Sequence, residues 1–380
     1  MKIAFIITNK SEFNYTHYNN QEIGRAIEFV NKGYNVDIYV FSKKNIGSTT
    51  VYSKDNISAK IVNYKGIPFL GNQTIPINLL SILKKARYKT IFIHEYPWII
   101  PALIALYYKT KDSEVYLMQG MYEDFNSSIK RLYNKAYDKL FAPILINKLD
   151  GVIFKTSASQ QYFKNKGFLN CKNIVIPVGL DLNKFNNSND ETLSLKLRSK
   201  ILSYKNRLLY VGAIEKRRNP LFLISILKAL VMLNDSIVLI IVGKGPMKSQ
   251  FERAIEENNL TTNIIHIRSL KQTQLPWLYS NSNFFIFPSS YEIFGMVLLE
   301  ALHFKLPIIS SPTAGSSEIL ENQRGTYIRD MDISQWVSII SKGIDDKSLY
   351  EKPCLPDRFK WNKIVESIIE FSNLHTFKDK

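Results

Sequence analysis

Phe287-Pro288-Ser289-Ser290-Tyr291-Glu292-Ile293-Phe294-Gly295-Met296-Val297-Leu298-Leu299-Glu300-Ala301-Leu302 reads as a strand end, a turn-forming loop and the start of a helix near Phe294 or Gly295. A helix start leaves unpaired N–H groups and partial positive charge. Gly295 has no side chain, so an anionic ligand can come close to that backbone. Glu292 precedes the helix and Glu300 lies within it. On one continuous helix the two would stand about 80° apart and about 12 Å along the axis. That spacing suits two grips on one extended ligand better than an acid/base pair.

Outward from this stretch, short apolar runs alternate with amphipathic ones, the pattern of a doubly wound α/β fold. A first series has strands at 3–7, 36–40, 90–93, 115–118 and 152–154, and a helix over 22–32 ended by Gly33. A second has strands at 208–211, 237–242, 264–267, 284–287 and 307–310, with helices over 220–233 and 248–258. Two series predict two Rossmann-like domains facing a central cleft, with ligands in loops after strands. The expected division is 1–180, a polar linker 181–205 that includes Asn186, Asn187, Ser188 and Asn189, a second domain 206–358, and a C-terminal segment 359–380 with an amphipathic helix.

The bulk numbers agree with a globular chain. The 380 residues suggest about two domains, with 45% hydrophobic and 22% charged residues. Two cysteines, Cys171 and Cys354, make neither a metal cluster nor a disulfide framework, which points to a reducing, cytoplasmic compartment. The apolar run at the N-terminus is too short for a signal peptide, and 91–108 is interrupted by His94, Glu95, Pro97 and Pro101, so no membrane span is expected. Net charge is +17, about +12 of it in residues 1–180, and favours an anionic partner. Lys130, Arg131, Lys135, Lys139 and Lys148 among apolar residues of 129–149 read either as a basic helix for an anionic membrane surface or as a domain helix with one basic face.

With seven residues between Glu292 and Glu300, followed by Pro307-Ile308-Ile309-Ser310-Ser311-Pro312-Thr313-Ala314-Gly315-Ser316-Ser317-Glu318, the chain resembles glycosyltransferase family 4, of GT-B fold and E-x7-E signature. The resemblance implies that Glu292 contacts the donor sugar, that Phe294, Gly295, Met296 and Val297 hold sugar and phosphate, and that Glu300 holds the nucleotide ribose. Leu209-Tyr210-Val211-Gly212-Ala213-Ile214-Glu215-Lys216-Arg217-Arg218-Asn219-Pro220 is similar to the family's strand-Gly-Arg-x4-Lys loop, whose cations clamp the donor diphosphate. Arg218 falls at the Lys position, Ala213 departs at the Arg position, and Lys216 or Arg217 compensates. Ile241-Val242-Gly243-Lys244-Gly245-Pro246 resembles the strand and Gly-x-Gly-Pro turn near base and ribose, and Arg268 follows the next strand.

In the first half, Ile91-Phe92-Ile93-His94-Glu95-Tyr96-Pro97 resembles a strand that brings a His to the substrate. Gln119 stands where many relatives have a reaction-centre His, and can hydrogen-bond the transferred sugar. The family's first-loop Gly-Gly aligns with Thr16-His17. Pro177-Val178-Gly179-Leu180-Asp181 resembles the crossover between domains, after which the C-terminal helix returns to the first.

The implied activity is metal- and cofactor-independent, retaining hexosyl transfer from a nucleoside diphosphate sugar, UDP-sugar favoured. The acceptor is a hydroxyl of a glycan or lipid-linked glycan in bacterial cell-surface polysaccharide or glycolipid synthesis. The site is cytoplasmic or peripheral on the inner face of the membrane. A sugar-nucleotide epimerase of GT-B fold and a non-catalytic partner subunit are the alternatives. A nucleic-acid binder lacks a recognisable module.

Overall fold

The computed structural model describes all residues except 9–20, 44–46, 70–73, 110–111, 126, 183–184, 186–192, 235, 346–350 and 375–380. Thr16-His17 and Asn186–Asn189 lie outside the described residues. The chain divides into Met1–Gly179 with Arg358–Lys380, and Leu180–Asp357.

The first unit runs β1 (Lys2–Ile6), α1 (Gln21–Asn31), β2 (Asn35–Phe41), β3 (Ser48–Lys54), β4 (Ile57–Tyr64), β5 (Gly66–Pro68), β6 (Thr74–Pro76), α2 (Leu79–Ala86), β7 (Thr90–His94), α3 (Ile99–Tyr107), β8 (Glu114–Gln119), α4 (Ser128–Lys148), β9 (Gly151–Phe154), α5 (Ser157–Lys164) and β10 (Asn173–Val175). Its main sheet has the order β10-β9-β8-β7-β1-β2-β4-β3. All pairings are parallel except β3 with β4. The central strands are apolar on both faces because helices cover both. Leu83 of α2, Ile104 of α3 and Leu145 of α4 fill one side; Phe29 of α1 fills the other.

The second unit runs α6 (Leu195–Leu202), β11 (Asn206–Val211), α7 (Pro220–Leu233), β12 (Ile237–Val242), α8 (Lys248–Glu257), β13 (Ile264–Ile267), α9 (Leu275–Ser280), β14 (Phe284–Phe287), α10 (Met296–His303), β15 (Ile308–Ser310), α11 (Ala314–Leu320), β16 (Thr326–Ile328) and α12 (Ile333–Asp345). Its sheet is wholly parallel, in the order β13-β12-β11-β14-β15-β16. Strand order reverses between β11 and β14, so the loops leaving these strands part there and open a crevice at the strands' carboxyl ends.

The expected linker 181–205 needs correction. Its last part is helix α6, capped by the Ser194 hydroxyl, and Phe185 is buried against His303 and Phe304 of the second unit. The ring finds an apolar seat, so part of this polar stretch belongs to the domain it precedes.

The last helix, α13 (Trp361–Phe371), belongs to the first unit. Ile364, Val365 and Ile368 join the core under α1. Trp361 lies so close to Gly24 that a Cβ there would meet its Nε1 at 2.3 Å. Among the described residues no helix is long and apolar enough to cross a membrane.

Candidate functional site

The crevice of the second unit holds most of the residues singled out from sequence. After β11, Lys216–Arg218 form one 3-10 turn, and Asn219 turns left-handed (φ 48°) into α7, whose first residue is Pro220. The loop after β14 lies beside it. Ser290 N–H donates to Arg217 O at 2.8 Å, and the Asn219 amide donates to Pro288 O at 2.7 Å. These bonds place both arginines at Glu292. Arg218 Nη1 pairs with Glu292 Oε2 and donates to Ser289 Oγ at 3.1 Å. Arg217 Nη1 reaches the same Oε2 at 3.3 Å and donates to Tyr291 O at 3.1 Å. Its Nε is 2.8 Å from Glu215.

Glu292 is fixed at its backbone too. The N–H of Gly315, in the first turn of α11, donates to Glu292 O at 3.1 Å. Thr313 caps that helix in a reciprocal box with Ser316. A Cβ on Gly315 would lie 2.0 Å from Phe294 O, so only glycine allows this approach. Gly295 caps α10 with φ 84°. Phe294 and Gly295 are buried, Met296 and Val297 partly exposed. One carboxylate oxygen held by two guanidinium groups beside a helix N-terminus marks a place built for an anionic oxygen.

Other expectations divide. Lys216 is exposed, with no ion pair among the described residues, so Arg217 is the second cation at Glu292. Gly243 has a packing reason to be glycine: a Cβ would lie 1.9 Å from Gly212 O. Gly212 and Gly243 thus pair neighbouring loops. Arg268 is exposed after β13. Glu300 is wholly buried and accepts the Tyr279 hydroxyl at 2.8 Å. A helix position facing the sheet carries its side chain inward, whatever its charge.

In the first unit the strand order reverses at β1, and the candidates end the neighbouring strands β7 and β8. His94 is 4% exposed. Its Nδ1 lies 3.8 Å from Glu22 Oε1, and its Nε2 is buried without a hydrogen-bond partner among the described residues. Desolvation, then the charges of Arg25 and Lys155, hold its pKa well below the ordinary value, so the ring is neutral at pH 7. Burial also raises the pKa of neighbouring Glu95, which has φ 73°. Gln119 is held by backbone groups on both sides. Its Oε1 accepts from Gly120 N at 2.6 Å and Met121 N at 2.9 Å, and its Nε2 donates to Tyr96 O at 3.1 Å. The amide braces two loops.

Sequence reading missed Glu22 and Arg25. Arg25 is 3% exposed, 3.6 Å from Glu22 and 4.6 Å from the centre of the Phe5 ring. Burial lowers its pKa to about 10. The signal was present: Glu22, Arg25 and Phe29 share one stripe of α1, and a charge pair on a buried stripe is informative. Among the described residues no three His, Cys, Asp or Glu side chains are placed to hold a metal ion.

Comparison with known proteins agrees with this geometry. Residues 195–354 match the family described as glycosyl transferases group 1. A UDP-Gal:alpha-D-GlcNAc-diphosphoundecaprenol alpha-1,3-galactosyltransferase of Escherichia coli is 25% identical over 360 residues, 90% of this chain and 88% of that one. Sucrose-phosphate synthase from Thermosynechococcus elongatus superposes with TM-score 0.71 at 17% identity over 98% of both chains. Anabaena HepE in complex with UDP and glucose gives 0.68 at 16% identity over 99% of this chain and 100% of that one. Residues 195–354 are thus similar to the group 1 glycosyl transferases, and the chain as a whole has the GT-B fold of these solved structures.

Proposed function

We propose that this glycosyltransferase moves a hexose, with retention of configuration, from a nucleoside diphosphate sugar, a UDP-sugar in preference, to a hydroxyl of a lipid-linked glycan. The work is done at the cytoplasmic face of an anionic membrane, in building a bacterial cell-surface polysaccharide or glycolipid. The observation that carries the reading is the convergence of Arg217 and Arg218 on one oxygen of Glu292 beside the Gly295 cap. A donor diphosphate brings anionic oxygens of the same chemistry. As the sugar–oxygen bond breaks, negative charge grows on the leaving diphosphate, and two guanidinium groups with a helix N-terminus stabilise it. Glu292, released from the arginines, accepts hydrogen bonds from sugar hydroxyls. The reading supplies no metal and no protein general base: the leaving phosphate takes the acceptor proton. The Escherichia coli relative, whose name specifies a UDP-sugar donor and a diphosphoundecaprenol acceptor, supports the donor and acceptor classes.

Thermal shift with UDP, GDP and ADP tests this. UDP is expected to raise the melting temperature most. A charge-assisted hydrogen bond contributes roughly 1.5–3 kcal/mol, so Arg217→Ala and Arg218→Ala should each weaken UDP about 10- to 100-fold. Lys216→Ala should stay within about 2-fold. No shift with any nucleoside diphosphate sinks the proposal; a Lys216 effect as large as that of Arg217 sinks the assignment of the second cation.

A further inference from the structure

The two helical layers of the first unit differ in their outer surfaces. In the α1–α13 layer, Lys32 and Lys363 are both paired with Glu366, at 2.7 and 2.9 Å. The other layer, α2 to α4, is built differently. Among the described residues, every large apolar side chain exposed on this unit lies on this layer or on the β5–β6 hairpin that leads into it. Leu106 and Tyr107 end α3 at 43% and 60% exposure; Leu132 and Leu140 of α4 reach 70% and 62%.

Cations accompany them. Helix α4 has 21 residues, about 31 Å of axis. Its sole acidic residue, Asp138, is turned to Lys166 and Tyr96. Lys135 and Lys139 are exposed, and no ion pair or hydrogen bond holds either among the described residues. Tyr137 and Leu145 of the same helix are buried in the core. The apolar side chains outside are therefore a second surface, not a misplaced core.

We infer that the α2–α4 layer is the face with which the protein lies on an anionic phospholipid bilayer. The lysines meet the headgroups, and Tyr107, Leu132 and Leu140 enter the headgroup–acyl boundary. The inference deepens the proposed work at a membrane and rests on that part of it. An interfacial helix combines these two components on one exposed side. A nucleic acid would leave the apolar side chains without a place. A second copy of the chain would set lysines against lysines, since Asp138 is already engaged.

The test is co-sedimentation of the full chain with vesicles of phosphatidylglycerol and phosphatidylcholine mixed, and of phosphatidylcholine alone. Binding is expected to mixed vesicles, to fall as salt rises, and to be lost on phosphatidylcholine. Each lysine at an anionic surface contributes about 5-fold in partitioning, so Lys135→Gln with Lys139→Gln should bind about 30-fold more weakly. Leu132→Ser with Leu140→Ser should weaken binding as well. UDP thermal shift on the same variants should equal that of the unaltered chain, so a failed donor site and a failed membrane face give different results. Equal binding to both vesicle types, undiminished binding of the lysine variant, or binding to oligonucleotides but not vesicles overturns the inference.

Discussion

Arg217 and Arg218 are consecutive, and on a strand they would point to opposite faces. The 3-10 turn and the left-handed Asn219 after it bring both guanidinium groups to one carboxylate oxygen. The sequence therefore exposed the need for a second cation, through Ala213, but not which neighbour met it. Gln119 shows the same limit: its position at a strand end was legible, while the two backbone N–H groups that claim its oxygen belong to the path of the following loop. His94 was found from its strand, and its environment gives a pH prediction. Unfolded, it titrates near 6.5; folded, desolvation keeps its pKa well below that. Between these values the unfolded chain binds the extra proton. Stability is then full above about pH 6.5 and falls as the pH drops. Urea unfolding at pH 7.5 and 5.5 should show the wild type losing about 1.4 kcal/mol more than His94→Gln. An equal loss in both proteins contradicts the assignment.

Elements with strong periodicity were legible almost to the residue. The helix over 220–233 and the strand over 237–242 have the expected bounds because a fully apolar strand and a Pro-started helix leave few alternatives. The hairpin of β3 and β4 went unread. Strand β3 is polar and largely exposed, β4 mixes apolar and polar residues, and the turn rests on Asp55 and Asn56, both with positive φ. Such a turn is the hairpin type that favours these residues, yet an Asp-Asn pair after a polar run is a faint signal. Docking of α13 onto α1 was expected only from the family resemblance; the contact that makes it is a missing side chain, that of Gly24 beneath Trp361. Gly24→Ala forces the indole outward. Overpacking of this kind costs about 1–3 kcal/mol. Hydrogen exchange should become faster across residues 361–371, and in a Trp361→Ala background the same substitution should cost less than half as much. If the costs simply add, the indole does not dock the helix.

At the scale of the whole molecule, each unit has its own sheet and its own buried clusters, one set built around β1 and β7 and the other around β11 and β14. The uneven charge follows this division: the first unit carries most of the excess, and the second brings two of its arginines, Arg217 and Arg218, to one carboxylate. A ligand that binds only the second unit stabilises what it touches. At a UDP concentration of 100 times Kd the gain is about 2.7 kcal/mol, or about 100-fold in protection of amides that exchange through unfolding of that unit. Exchange should therefore slow by up to this factor in β11, β14 and α10, and change little in β1, β2 and β7. Little slowing in β11 and β14 at saturating UDP removes the nucleotide from the second unit. Slowing of both sheets by the same factor shows that the units unfold together, so that neither has a stability of its own and the two sheets act as one cooperative body.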